Sequence, residues 1–290
     1  RRMDRFAQFA VVAAKEAVAD AGLDLGSGNP FETGAIVSAG FGGAETLAEG
    51  FEIFYQRGPR RIRPLQFPMM ISNMAAAQVA IELGVKGPNF SIASACASSA
   101  HAIGEAVEII KRGDAKVMLA GGTEAGITPI SVAALNAMRA LSTRNDEPER
   151  ASRPFDAQRD GFVLAEGAAV LVLEDADHVW QRGGQILAEV AGYGATADAT
   201  HITAPDTDGT AAIYAMRRAL EKSQLGIYEV DYINAHGTAT KLNDQIETKV
   251  IREVFGPAAP NIPISSTKSM TGHLMSAAGA LEAIICVLAL

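Results

Sequence analysis

The feature that most restricts the fold of this chain is a repeated local pattern. A short apolar strand runs into a turn of glycine or other small residues, and an amphipathic helix follows. Gly34–Val37 leads into Gly40-Phe41-Gly42-Gly43, Phe90–Ala93 leads through small residues into a helix over Ala97–Lys111, and Lys116–Ala120 ends in Gly121-Gly122. Further helices are predicted over Phe6–Ala21, with Gly22 just past its end, over Ile71–Leu83 and over Thr210–Ser223. Further strands are predicted at Ala168–Glu174, Leu187–Gly192, Tyr232–Ala235 and Ile262–Ser265. Continuous apolar strands alternating with helices predict an α/β protein whose sheets are covered by helices.

The 290 residues suffice for a large core, and 48% apolar with 20% charged residues fits an ordinary globular chain. The most apolar stretch, Ala277–Leu290, carries Glu282 and is too short to span a bilayer. Arg1-Arg2-Met3-Asp4 opens an amphipathic helix rather than a signal peptide, which predicts a cytoplasmic protein. A formal net charge of −8 argues against nucleic acid as a partner. Basic residues nevertheless collect at Arg1 and Arg2 and at Arg57, Arg60, Arg61 and Arg63, either as a solvated face or as a docking patch for an acidic partner. The two cysteines, Cys96 and Cys286, do not make a zinc site with the dispersed histidines. Cys286 lies in an apolar run and is predicted to be a buried small hydrophobe.

There is no linker or low-complexity tract, and Asn145–Arg153 reads as a surface loop. Ser99-Ala100 with Glu105-Ala106 recurs as Ser276-Ala277 with Glu282-Ala283, an echo that duplication and small-residue coincidence explain equally well. Leu290 falls within a helical pattern and Arg1 precedes a helix with no strand before it, so the sequence reads as a piece of a longer polypeptide.

Three segments carry chemistry. In Ser91-Ile92-Ala93-Ser94-Ala95-Cys96-Ala97-Ser98-Ser99 a strand ends and a helix begins, which sets Cys96 at a helix N-terminus. Free N–H groups and the helix dipole there favour a thiolate, and small neighbours admit a bulky acyl group. A structural cysteine in a tight turn fits the same residues. In Asn234-Ala235-His236-Gly237-Thr238-Ala239-Thr240 a strand delivers His236 into a loop of small hydroxyl residues; structural histidines are common at such places. In Ser265-Ser266-Thr267-Lys268-Ser269-Met270-Thr271-Gly272-His273, Lys268 needs a partner, with Glu282 and Glu247 as candidates. An exposed Lys and His in a helix-capping loop is the plainer reading.

Together the three segments resemble the β-ketoacyl-acyl-carrier-protein synthases, and most of all the elongating synthase II type. Ala140-Leu141-Ser142-Thr143-Arg144-Asn145, Ser152-Arg153-Pro154-Phe155-Asp156 and Arg159-Asp160-Gly161-Phe162-Val163 fit the same pattern, and the resemblance covers essentially the whole chain. It departs where the family has Pro and then Gly-Asp, since this chain has Lys241-Leu242-Asn243-Asp244; an Asn tolerates the left-handed conformation of a Gly. The family's first strand and helix, its C-terminal strand pair and its glycine-rich Phe-Gly loop have no counterpart here.

The resemblance implies a thiolase-like, five-layered αβαβα fold of two similar halves, about 1–180 and 181–290, working as a homodimer. It implies decarboxylative Claisen condensation of an acyl-Cys96 thioester with malonyl-acyl carrier protein. His236 and His273 would stabilise the enolate, Lys268 would fix His273 while held by Glu282, and Glu247 would support them. The Cys96 N–H would serve the oxyanion. Thr238 and Thr240 would hydrogen-bond the pantetheine arm, Thr203 would bind substrate, and Leu135 would line the acyl pocket. Arg60, Arg61 and Arg139, with Arg1 and Arg2, would dock acidic acyl carrier protein. No metal or redox cofactor is implied, because decarboxylation drives the reaction. The alternatives are a polyketide-type ketosynthase or an inactive, interaction-only fragment like the chain-length factors, which typically lack the Cys. A thiolase needs a second catalytic Cys in a glycine-rich loop, and a Cys-His protease needs an orienting Asn or Asp; neither is evident.

Overall fold

A computed structural model describes residues 3–290, so Arg1 and Arg2, proposed for docking, lie outside the described residues. In chain order the elements are α1 (Arg5–Asp20), β1 (Thr33–Ser38), α2 (Ala44–Arg57), α3 (Gln66–Met70), α4 (Met74–Leu83), β2 (Asn89–Phe90), α5 (Ser98–Arg112), β3 (Val117–Glu124), α6 (Pro129–Ala137), β4 (Gly167–Glu174), α7 (Ala176–Arg182), α8 (Thr210–Ser223), β5 (Ile233–Asn234), α9 (Lys241–Phe255), β6 (Ile264–Ser265), α10 (Lys268–Thr271) and α11 (Ala278–Ala289). The chain is α/β, and it divides into two compact units. The first comprises residues up to Val132 with Ala165–Ala188 and Leu274–Leu290; the second comprises Ala133–Leu164 and Glu189–His273.

The first unit is built on a four-stranded sheet in the order β2-β1-β3-β4, with β1 parallel to β2 and β3, and β4 antiparallel to β3. Asp4 starts α1 by accepting the Phe6 N–H, and the same carboxylate takes the Thr46 N–H at 3.0 Å. Phe6, Ala7, Ala10, Val11 and Ala14 form the buried stripe of α1 and pack with Ala75, Ala76 and Val79 of α4 on Ala35, Val37 and Leu119. The strand period of two turns Ile36 and Met118 to the opposite face, and α5 also packs on β1 and β3. Covering both faces leaves β1 and β3 wholly buried, which is why they read as unbroken apolar runs.

Gly121-Gly122 does not end β3. The strand continues to Glu124 because β4 pairs along its full length, and a Cβ at Gly121 would strike the Ala169 carbonyl. Helix α4 starts at Met74 rather than Ile71, since Ile71 is extended (ψ 137°) after the separate short helix α3. Cys286 is half-buried on α11, not buried as its apolar neighbours imply. Among the described residues no helix is long and apolar enough to cross a membrane.

In the second unit β5 and β6 form a parallel pair. Ala212, Ile213, Met216 and Leu220 of α8 pack on the cluster of Val250, Ile251, Val254 and Phe255 of α9. The strand predicted at Leu187–Gly192 does not form. A strand needs a ladder partner, and the chain here follows a helix instead. A Cβ at Gly192 would meet the Ala219 carbonyl and one at Gly194 the Ala215 carbonyl, while Thr196 Oγ1 donates to Ala211 O at 2.8 Å. Two residues of extended chain (about 6.6 Å) keep step with four residues of helix (about 6 Å), so the segment runs antiparallel along α8.

Candidate active site

In the first unit the chain leaves β2 and makes one 3-10 turn, Ala95–Ala97, from which α5 starts at Ser98. The strand predicted to reach Ala93 stops at Phe90, and beyond it the Ile92 N–H is held by Ser38 Oγ at 3.2 Å. Ala95 takes φ 49°, the left-handed region that a side chain disfavours. Cys96 follows, half-buried, ahead of a 15-residue helix whose first N–H groups have no intrahelical acceptor.

The same geometry recurs at Met275–Ala277, where Met275 has φ 50° and α11 follows. The repeat is therefore real, but Ser276 answers to Cys96 rather than to Ser99, three residues off the register of the sequence echo. The two helices touch: a Cβ at Gly279 would stand 3.1 Å from Ala100 Cβ, and the Ala280 N–H donates to Ser99 Oγ at 3.0 Å.

The second unit assembles the basic residues. Pairing of Asn234 with Ser265 brings the loop after β5 beside the loop after β6. Ser266 Oγ donates to Gly237 O at 2.7 Å, and Lys268 Nζ donates to His236 O at 2.6 Å. Nζ also lies 3.3 Å from His236 Nδ1. An ammonium only donates, so Nδ1 accepts and the ring proton sits on Nε2. Glu247, half-buried on α9, receives the N–H groups of His236 (2.6 Å) and Gly237 (2.8 Å) on its two oxygens. The His273 N–H donates to Val163 O at 2.7 Å, and its ring stands edge-on to Phe162 and to His236, with centroids 5.2 and 5.3 Å apart.

Burial first, then the charge of Lys268 and the neighbouring His273, hold the His236 imidazole well below the usual histidine range. Burial and then Lys268 push His273 down to about 3. Both rings are neutral at pH 7 and can donate a hydrogen bond without being acids. Burial raises the Glu247 carboxyl, against the pull of the Gly237, His236 and Asn243 donors and of Lys268. The hydrogen bonds described for Lys268 thus reach His236, while His273 feels it as charge.

The remaining candidates are placed as follows. The hydroxyls of Thr238 and Thr240 lie 2.9 Å from each other. Thr203 is exposed beside His201, and Leu135 is half-buried on α6. Arg60, Arg61 and Arg139 are exposed, Arg139 at φ 54°, and Glu282 is half-buried on α11. Lys241-Leu242-Asn243-Asp244 is the first turn of α9, so Asn243 is helical and the positive-φ residues of the loop are Gly237 at 40° and Ala239 at 65°. Asp244, which sequence reading passed over as a site residue, is buried and accepts the Phe155 N–H at 2.7 Å; the Ser266 side chain and the Phe155 ring together fill the space a Cβ on Gly237 would take. Its signal was faint: a lone acid in the first turn of a helix.

The first unit offers a cysteine at a helix start, and the second a pair of neutral imidazoles, one of them held by Lys268; both are groups that acyl transfer through a thiol uses. The chain belongs to the β-ketoacyl synthase family: the N-terminal domain of that family matches residues 1–178 and the C-terminal domain residues 187–290. It is 48% identical to the 3-oxoacyl-[acyl-carrier-protein] synthase 2 of Staphylococcus aureus over 290 residues, which is 100% of this chain and 72% of that protein. The synthase 2 of a Synechocystis species is also 48% identical, over 100% of this chain and 70% of its own. Among solved structures, the ketosynthase complex AntDE:AntF of a type II polyketide system, with its acyl-carrier protein and a bound hexaketide, superposes with a TM-score of 0.95 at 36% identity, over 99% of this chain and 72% of that one. A β-ketoacyl synthase from Burkholderia phymatum gives a TM-score of 0.92 at 38% identity, over 99% and 69%.

Proposed function

We propose that the chain performs decarboxylative condensation in fatty acid elongation, joining an acyl group to malonyl-acyl carrier protein to give 3-oxoacyl-acyl carrier protein. Cys96 Sγ attacks the thioester carbonyl of an acyl carrier; the new C–S bond forms as the carrier's pantetheine thiol leaves. The Cys96 N–H stabilises the oxyanion. A malonyl thioester then loses carbon dioxide, and its carbon–carbon bond electrons pass into an enolate. His236 and His273 donate to the enolate oxygen. The enolate carbon attacks the acyl-Cys96 carbonyl, and the Cys96 thiolate leaves. Thr238 and Thr240 take the pantetheine arm, Thr203 binds substrate, Leu135 borders the acyl chain and Glu282 supports Lys268.

The observation that carries this reading is the Lys268 contact with His236 Nδ1, at 3.3 Å. It leaves the proton on Nε2, and a neutral N–H suits a developing enolate oxygen, which needs a donor that does not quench the carbanion. The test is peptide mapping after mixing the protein with acyl-acyl carrier protein. One acyl group on the peptide that holds Cys96 is expected; an unlabelled Cys96 overturns the reading.

Carrier docking at Arg60, Arg61 and Arg139 is part of the same proposal. These side chains are exposed against an overall charge of −8. Arg60→Glu with Arg61→Glu should raise KM for acyl carrier with little change in kcat, most strongly at low salt. Unchanged kinetics at low salt count against this site. A homodimer also belongs to the proposal, supported by the exposed Phe51, Phe54, Tyr55 and Phe67. The TM-score of 0.95 to the polyketide ketosynthase favours a polyketide-type second reading. Product mass after one or several condensations separates the two.

A further inference from the structure

The molecule makes one turn twice and holds the two copies differently. At Met275–Ala277 the central residue is itself the anchor. Ser276 is fully buried, and its hydroxyl reaches Thr123 O at 2.8 Å and Glu124 Oε2 at 2.6 Å. Cys96, in the equivalent place, is half-buried. A side chain that must meet an acyl group cannot also be the anchor.

At Ala95–Ala97 the holding passes to the first turns of α5. Ser98, fully buried, donates to Ala95 O at 2.7 Å and accepts the Ser94 N–H at 2.9 Å. Ser94 Oγ lies 2.7 Å from His101 Nδ1. Both residues flanking the turn's entry are therefore tied to the helix that follows it. The equivalent positions beside Ser276 are Ala278 and Leu281, which have no polar side-chain atom to offer. A left-handed alanine such as Ala95 persists only where its surroundings over-determine it.

We propose that Ser98 and His101 are positioning residues, a clamp on the strained Ser94–Ala95 step that presents the Cys96 sulfur outward to an acyl thioester. The clamp rests on the condensing reading for its purpose, but not for its test. Iodoacetamide labelling, followed on the peptide that holds Cys96, needs no carrier and is blind to Cys286. His101→Leu should slow labelling about tenfold, the equivalent of one lost hydrogen bond of ordinary strength. His101→Asn places an amide atom at the same bond count as Nδ1 and should restore most of the rate. Thermal unfolding should be alike in the two variants. Ser98→Ala should slow labelling in the same way, and it carries the test if His101→Leu does not fold. Labelling of His101→Leu and Ser98→Ala at the wild-type rate overturns the clamp, as does equal slowing by Leu and Asn at position 101. A wild-type protein that labels normally yet takes no acyl group from a carrier would sink the condensing reading and leave the clamp standing.

Discussion

His273→Ala should slow carbon dioxide release from malonyl-acyl carrier protein by about 10²–10³-fold, the range typical for loss of one donor to a developing oxyanion. Transfer of the acyl group to Cys96 should persist, because that step asks nothing of the imidazole. His236→Ala should show the same split. The argument rests on the protonation state of the pair. A charged imidazolium would give up its proton to the carbanion and end the reaction as an acetyl thioester. Burial and Lys268 hold His273 at about 3 and His236 well below its usual value, so both rings enter the reaction neutral. The pH profile of decarboxylation is therefore expected to stay flat as pH falls from 8 through 6.5, where an ordinary histidine gains its proton. A fall centred near 6.5 would show that the donors are ordinary histidines. The same depression has a stability cost whose sign is fixed. The unfolded chain binds protons at these rings below pH 6.5 while the native chain does not. Stability is lost as pH falls below 6.5, and for His273 the loss continues down to about 3.

Different parts of this molecule were legible in the sequence for different physical reasons. The buried strands β1 and β3 and the helix α5 announced themselves because burial on both faces, or on one stripe, forces an apolar pattern. Cys96, His236, Lys268 and His273 stood out only jointly, as what the resemblance implies, because each sits in a run of small residues that alone fits a structural turn. Strand lengths were not legible. Gly121-Gly122 looks like a stop, yet it lies within β3, since what decides is whether β4 continues alongside. The predicted strand at Leu187–Gly192 failed for the converse reason: no strand runs beside it among the described residues, Leu187 stays exposed, and the chain is held from Gly192 onward by the close approach of Gly192 and Gly194 to α8. The echo pointed to a real repeat in the wrong register because it was read from identities. The repeat is defined by backbone torsion, Ala95 at 49° and Met275 at 50°, to which side-chain identity is nearly blind. Lys268 was tied to His273 only through the resemblance; its contact with His236 Nδ1 follows from the β5–β6 pairing, which no local pattern announces.

Glu247→Ala should be the most destabilising of the single changes around this loop, by about 2–4 kcal/mol, since it leaves at least two partly buried backbone N–H groups without an acceptor. Its two oxygens receive the His236 and Gly237 N–H groups at 2.6 and 2.8 Å, and Asn243 Nδ2 reaches one of them at 3.3 Å. The neighbouring carboxylate in the same helical turn, Asp244, is already committed to the Phe155 N–H. Glu247→Gln keeps the shape but turns one acceptor into a donor that faces an N–H, so about half of that loss is expected. The difference between wild type and Glu247→Gln should also depend on pH. Burial raises the native Glu247 carboxyl above its value of 4.5 in a model compound. The native chain therefore holds this proton more tightly than the unfolded chain does. That contribution is fully present below pH 4.5 and is lost as pH rises through the native value. Chemical denaturation of the two proteins should show the widest gap in acid and a narrower one at pH 8. The histidines titrate identically in both and cancel from the difference. A gap that widens with pH would mean that the three donors outweigh burial and that Glu247 is held as a carboxylate even in mild acid.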